Sequence, residues 1–162
     1  MSLQTDLIFL RALQQSSEIA EVVADRIYDT AIPRPEKSAE NEPIPYIIVT
    51  FDGIQPTEQT KDDDYDSDYD TVQVGITLVA RKRPSLAELS DLVRRTVRDY
   101  FKMLAEADPY ELDEADAEVL PLLPTSCQVS GGMVEYEDEK PCYFMTMQYS
   151  CETTAFIDDD ES

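Results

Sequence analysis

Leucines at positions 3, 7, 10 and 13 recur at helical spacing, which predicts an amphipathic helix over residues 3–15 with these leucines as its apolar stripe. Ser16-Ser17 interrupts it. Ser17 then suits the cap of a second short helix, with Glu18 in its first turn and Ile19, Val22 and Val23 on its apolar side. The period changes at Asp25-Arg26-Ile27-Tyr28-Asp29, a short strand candidate. Pro33, Pro35, Pro43 and Pro45 enclose a polar stretch that reads as an exposed loop. Residues 46–51 are β-branched or aromatic and almost continuously apolar, the pattern of a strand buried on both faces, with Asp52-Gly53 as its end.

Residues 54–69 are polar and acidic and read as a loop or hairpin extension. The next strand alternates: Val72, Val74, Ile76, Leu78 and Ala80 take one face, and Thr71, Gln73, Gly75 and Thr77 the other. A long helix is predicted at about 85–106. Pro84 precedes it, Ser85 and Glu88 have the spacing of a capping box, and Leu86, Leu89, Val93, Val97, Tyr100, Phe101 and Leu104 form its buried stripe. Arg94, Arg95 and Arg98 fall on other faces, solvated or paired with nearby acids. Residues 105–118 hold seven acids and read as a connector with at most a turn of helix. Residues 125–134 and 142–156 read as two long antiparallel strands turning near Glu137-Asp138-Glu139-Lys140. Tyr143, Met145, Met147, Tyr149 and Cys151 share the face that should meet the long helix. The tail, 157–162, is expected to be frayed.

Composition narrows the picture. The 162 residues suffice for one core but not two, so 1–156 is expected to be a single domain. Thirteen Lys and Arg against 35 Asp and Glu give a net charge of -22. Such a chain repels phosphate backbones, which argues against specific nucleic-acid binding. No apolar run is long enough to span a membrane. The N-terminus carries an acid and no basic cluster, unlike a secretory signal, so the expected place of synthesis is a cytoplasm.

Candidate chemistry is sparse. Histidine is absent, which removes the commonest general base and zinc ligand. The odd count of Cys127, Cys142 and Cys151, without CxxC spacing, argues against a disulfide scaffold or zinc site and predicts half-buried thiols on strands. Asp64, Asp66 and Asp68 match the first three ligands of an EF-hand loop. Tyr69 stands where the turn glycine is needed and Gly75 where the bidentate glutamate is needed, so the stretch reads as a solvated like-charge loop. Gly131-Gly132 marks a bulge or bend, and Met145 and Met147 read as strand core. No phosphate loop, nucleophile elbow or dinucleotide motif is present. No catalytic residue, cofactor or metal is therefore expected. Tyr65 and Tyr69 are read equally as partner contacts or local packing. Arg81-Lys82-Arg83 is the one basic cluster, placed to meet an acidic neighbour, which in a homo-oligomer is another subunit. From its residues alone the chain is an acidic, soluble α/β or α+β domain without an evident active site.

One further pattern spans about residues 3–105. It is a helical N-terminus, Arg26-Ile27-Tyr28, a proline-rich loop, Pro45-Tyr46-Ile47-Ile48-Val49, the strand Gln73–Ala80 and the following helix. This order resembles the tail-completion proteins of long-tailed bacteriophages and prophages, which include tail terminators. The resemblance transfers no catalytic residue. It implies a mixed sheet flanked by helices, and a ring, often hexameric, at the head-proximal end of the tail tube. The implied partners are other copies of the chain, the tail tube protein and the head connector protein, and the implied location is the virion. The expected architecture is thus α+β: a mixed, mainly antiparallel sheet of about 4–5 strands on one long helix and the N-terminal helices. The chain departs from the pattern in its acidic loop 54–70, its acidic connector 105–118 and its acidic tail. Asp62, Asp63, Asp64, Asp66, Asp68 and Asp70 are candidates to line a lumen through which DNA slides without sticking, with Tyr65 and Tyr69 beside them. The alternative is an acidic DNA mimic that occupies a basic host DNA-binding protein; an enzyme is a third and weaker reading.

Overall fold

A computed structural model describes residues 2–29, 44–56, 69–139 and 141–154. The axis of the fold is the strand predicted by its strict alternation, β3 (Tyr69–Ala80). It pairs antiparallel along its whole length with β6 (Cys142–Thr154) and antiparallel with β2 (Tyr46–Pro56). Outside these lie β1 (Ile27–Asp29), parallel to β2, and β4 (Ser126–Gly131), antiparallel to β6. The order is β1-β2-β3-β6-β4, and the short β5 (Glu135–Glu137) also pairs with β6. The fold is the expected α+β class, with six strands rather than four or five among the described residues.

The helices are α1 (Asp6–Gln14), α2 (Ser17–Val23), α3 (Arg83–Glu106) and α4 (Glu114–Val119). One sheet face carries Ile47 and Val49, then Val72, Val74, Ile76, Leu78 and Ala80, then Met147, Tyr149 and Cys151. These share one core with α1, α2 and α3. Phe9 is fully buried at its centre, with ring centroids 5.1 Å from Phe101 and 4.9 Å from Tyr149. On the opposite face a smaller cluster of Ile44, Tyr46, Val79 and Cys142 gives way to a polar field of Thr, Gln and Ser.

Several local expectations are corrected. The leucine stripe of α1 is rotated: Ile8, Phe9, Ala12 and Leu13 are fully buried, whereas Leu3 is 69% and Leu7 37% exposed. Positions 5, 8, 9, 12 and 13 form the wider i, i+3, i+4 face, and that is the face the sheet covers. The cap of α2 is Ser16, not Ser17; Ser16 is extended and its Oγ accepts the Ile19 N–H at 3.2 Å. The Ser85–Glu88 capping box does not form. The helix has already begun at Arg83, with its first backbone bond from Leu86 N–H to Lys82 O, and Pro84 fits this first turn because it has no N–H to satisfy. Asp52-Gly53 does not end β2, which passes them through a register shift between Phe51 and Gly53 and continues to Pro56.

The two expected C-terminal strands are three. β4 stops at Gly131, so the glycine pair ends the strand instead of bending one that runs to 134: Gly132 N–H bonds Thr146 O at 2.9 Å, and a Cβ on Gly132 would lie 2.8 Å from that oxygen. The acidic connector is more ordered than expected, with a 3-10 turn at Pro109–Glu111 and then α4. Cys127 and Cys151 are not thiols. They stand opposite each other on β4 and β6 and are joined as a disulfide, whereas Cys142 is a buried cysteine outside the bridge. The odd count obscured this, because the deciding fact is cross-strand register rather than spacing along the chain.

Candidate functional site

Of the residues singled out in the sequence, Asp62, Asp63, Asp64, Tyr65, Asp66 and Asp68 lie outside the described residues. Tyr69 and Asp70 open β3, where Tyr69 is 41% exposed. Arg81 and Lys82 form the turn leaving the other end of β3, and Arg83 starts α3; all three are exposed. Of the acidic candidates only Asp70 is described, and it is not brought to the basic triplet. They stand at opposite ends of the 12-residue β3, roughly 36 Å apart. None of the ion pairs among the described residues involves Arg81, Lys82 or Arg83.

Charge is segregated further along α3. Residues 81–102 contain seven of the thirteen basic residues and only Glu88, Asp91 and Asp99 as acids. Beyond the helix C-terminus the sign reverses, and Glu106, Asp108, Glu111, Asp113, Glu114 and Glu118 are all exposed. With 24 residues in α3, the two ends lie roughly 36 Å apart.

The acidic connector is fixed by a clamp that sequence reasoning missed. Asp116 Oδ1 accepts hydrogen bonds from Tyr100 O–H at 2.6 Å and Arg11 Nε–H at 2.9 Å. The Arg11 guanidinium also lies 3.8 Å from Asp113, whose Oδ1 caps α4 by accepting the Asp116 N–H. Burial alone would raise the Asp116 carboxyl. The hydrogen bonds from Tyr100, Arg11 and the α4 cap outweigh it and hold the group below the usual carboxylate range. Burial pushes the Tyr100 phenol far up, and its bond to Asp116 adds to this. The contact joins positions 11, 100 and 116, and no periodicity in the chain announces it. In front of the clamp, Asp108 Oδ1 accepts the Tyr110 N–H at 3.0 Å and fixes a tight turn that leaves the Tyr110 ring 96% exposed.

On the opposite flank, a groove of about 470 Å³ runs between α3 and the edge strand β4. Val97, Phe101, Val129 and Tyr149 line its floor, and Arg94 and Arg98 stand over it. Arg98 pairs with its neighbour Asp99 at 3.1 Å, whereas Arg94 is in none of the ion pairs among the described residues. Burial pushes the Tyr149 phenol up to about 12, against the pull of the Arg94 charge. On the sheet face opposite the helices, Asp52 accepts from Thr50 O–H at 2.7 Å and from Gln148 Nε2–H at 3.1 Å. It reaches over the middle strand because Gly75 has no Cβ there to meet Thr50 and the Asp52 carboxylate.

Under α1, burial and the nearby Asp29 raise the carboxyl of Asp6. Among the described residues no group of three or more His, Cys, Asp or Glu is gathered to hold a metal ion, and no helix is long and apolar enough to cross a membrane. The geometry thus offers an Arg-lined apolar groove, an acid-flanked exposed tyrosine and a polar sheet face that carries no helix among the described residues. Compared with known proteins, the chain matches no family model and no curated protein at a significant level.

Proposed function

We propose that this protein is a structural component of bacteriophage or prophage assembly. In this reading it is a tail terminator or tail-completion (head–tail joining) protein that forms a ring, hexameric by analogy, at the head-proximal end of the tail tube. One observation carries the reading. The elements that bear the resemblance, α1, α2, β1, β2, β3 and α3, occur in that order and build a mixed sheet with its helices on one face. The segregation of charge along α3 supports it, because a ring needs two different surfaces on each subunit. The partners are further copies of the chain, the tail tube protein and the head connector, and the protein's place is the neck of the virion. No reaction is assigned to it.

Disruption of the gene in the phage or prophage that encodes it, followed by negative-stain electron microscopy, tests this. Overlong tails beside unattached heads identify a terminator. Tails of normal length that fail to join heads identify a head-joining piece. Intact virions overturn the reading and favour the DNA-mimic alternative, which a salt-sensitive complex with a basic DNA-binding protein would then establish.

A further inference from the structure

We propose that the groove between α3 and β4 receives the acid-flanked Tyr110 turn of a second copy of this chain. The inference rests on the reading of the protein as a ring and names the contact that would close it.

The receiving surface has an apolar floor and a rim on which Arg94, Arg95 and Arg98 outnumber the single acid, Asp91. Val97 and Tyr149 lie at its base, almost buried, with half-buried Phe101 and Val129 beside them. Arg94 and Arg98 stand over this floor on α3. In a chain of net charge -22, an arginine-rimmed groove is the place where another copy's acids are attracted rather than repelled. β4 adds one more feature: among the described residues it is the last strand of the sheet, and one side of its backbone has no strand neighbour there.

The inserted surface is built to match. Asp108 and Pro109 hold the Tyr110 turn by the hydrogen bond from Tyr110 N–H to Asp108 Oδ1. The ring is 96% exposed, the highest value of any large apolar side chain among the described residues. Exposed acids surround it in sequence: Asp108, Glu111, Asp113 and Glu114. A rigid tyrosine loses little side-chain freedom on docking, and tyrosine and arginine are the residues that dominate contact energy at interfaces.

Within one chain Tyr110 does not line the groove, and the Arg11–Asp116–Tyr100 clamp ties the connector that follows it to α1. Groove and tyrosine are different surfaces of the same molecule. Their contact is therefore heterologous, and it repeats head to tail until a rotation closes it.

A photo-crosslinker tests the contact directly. Tyr110→p-benzoyl-phenylalanine is introduced into the full chain, mixed with isotopically labelled protein, and irradiated both alone and with tail tubes. Mass spectrometry then maps the adducts. The expected result is an adduct between labelled and unlabelled chains, at peptides within 91–101 or 126–131. Arg94→Glu with Arg98→Glu should cut its yield by about tenfold, with the thermal melt unchanged to show that the variant is folded. An adduct within one chain only, one mapped elsewhere, one indifferent to the charge reversal, or none in either condition overturns the proposal. A second variant, Phe156→p-benzoyl-phenylalanine, reports whether the acidic tail is the occupant instead; its adduct in the groove, with none from position 110, also overturns it. Rings that form on tubes with the adduct elsewhere would remove this contact but leave the ring standing. Intact virions from the disrupted gene would remove the ring reading itself.

Discussion

Substituting Tyr100→Phe isolates the clamp that fixes the acidic connector, because it deletes one hydroxyl and leaves the ring in place. Tyr100 is 3% exposed, and the Asp116 side chain that accepts its 2.6 Å hydrogen bond is 14% exposed. A hydrogen bond to a charged group contributes about 1.5–3 kcal/mol. Asp116 keeps Arg11 after the substitution, so the loss falls at the lower end, about 1.5–2 kcal/mol. For a domain of this size that lowers Tm by roughly 3–8 °C. Thermal and urea melts of the wild type, Tyr100→Phe, Asp116→Asn and the double variant give the coupling between the two groups, expected at about 1 kcal/mol or more.

The pH dependence supplies a second, independent check. The native Asp116 carboxyl is held below its ordinary range, so its contribution is complete above the unfolded value of about 3.9 and is lost as pH falls through the native value. The gap between wild type and Tyr100→Phe should be level from neutral pH to about 5 and should close below about 4. Hydrogen exchange should also quicken in α4 before the sheet is affected. A variant melting within about 1 °C of wild type at pH 7, or a gap that persists undiminished in acid, would refute the assignment of the clamp.

Two further outcomes are expected. Asp6→Asn should raise Tm at pH 7, since burial and Asp29 raise the Asp6 carboxyl in the fold; the native state then binds the proton more readily than the unfolded chain, stability falls as pH rises above the ordinary carboxylate value, and the gain should shrink toward pH 3–4 in a melting series. With Cys127 and Cys151 at a sequence separation of 24, removing the disulfide by Cys127→Ser with Cys151→Ser should cost about 3.5 kcal/mol in a urea melt, and alkylation of the unreduced, denatured protein should modify Cys142 alone; three alkylated cysteines would show that the bridge is absent.

Elements with a strong, unbroken period were legible in the sequence. The alternation of 72–80 put the correct face of β3 into the core, and the stripe of α3 was correct at Leu86, Leu89, Val93, Val97, Tyr100 and Leu104. Errors gathered where a local signal competed with a tertiary one. Four leucines outlined α1, yet Phe9 and Ile8 decide its orientation because the sheet covers their side. Asp52-Gly53 has the chemistry of a strand end, but β3 and β2 continue their pairing on either side of a single bulge. The Ser85–Glu88 spacing was overridden because the backbone bond from Leu86 N–H to Lys82 O starts the helix earlier. The clamp and the disulfide were illegible for a deeper reason. Arg11 meets Asp116 across 105 positions, and Cys127 meets Cys151 only once β4 and β6 are in register.

The same distinction applies to charge. The sequence draws attention to its densest acids, 62–70, and to its one basic triplet, 81–83, as blocks along the chain. Folding redistributes that information. The basic residues of 81–102 are gathered on α3 and the turn before it, where Arg94 and Arg98 line the groove beside β4 and Arg95 reaches Glu18 of α2. The connector acids become a fixed surface rather than a solvated run because a single member, Asp116, is withdrawn from them and tied to Arg11 and Tyr100. A chain at -22 repels its own copies at long range, and salt relieves this within a screening length of about 8 Å. The proposed assembly therefore depends on contacts that set opposite signs face to face at short range. An acidic turn at one end of α3 and an arginine-lined groove beside its middle meet that requirement, whereas a uniformly acidic surface of the same net charge would not.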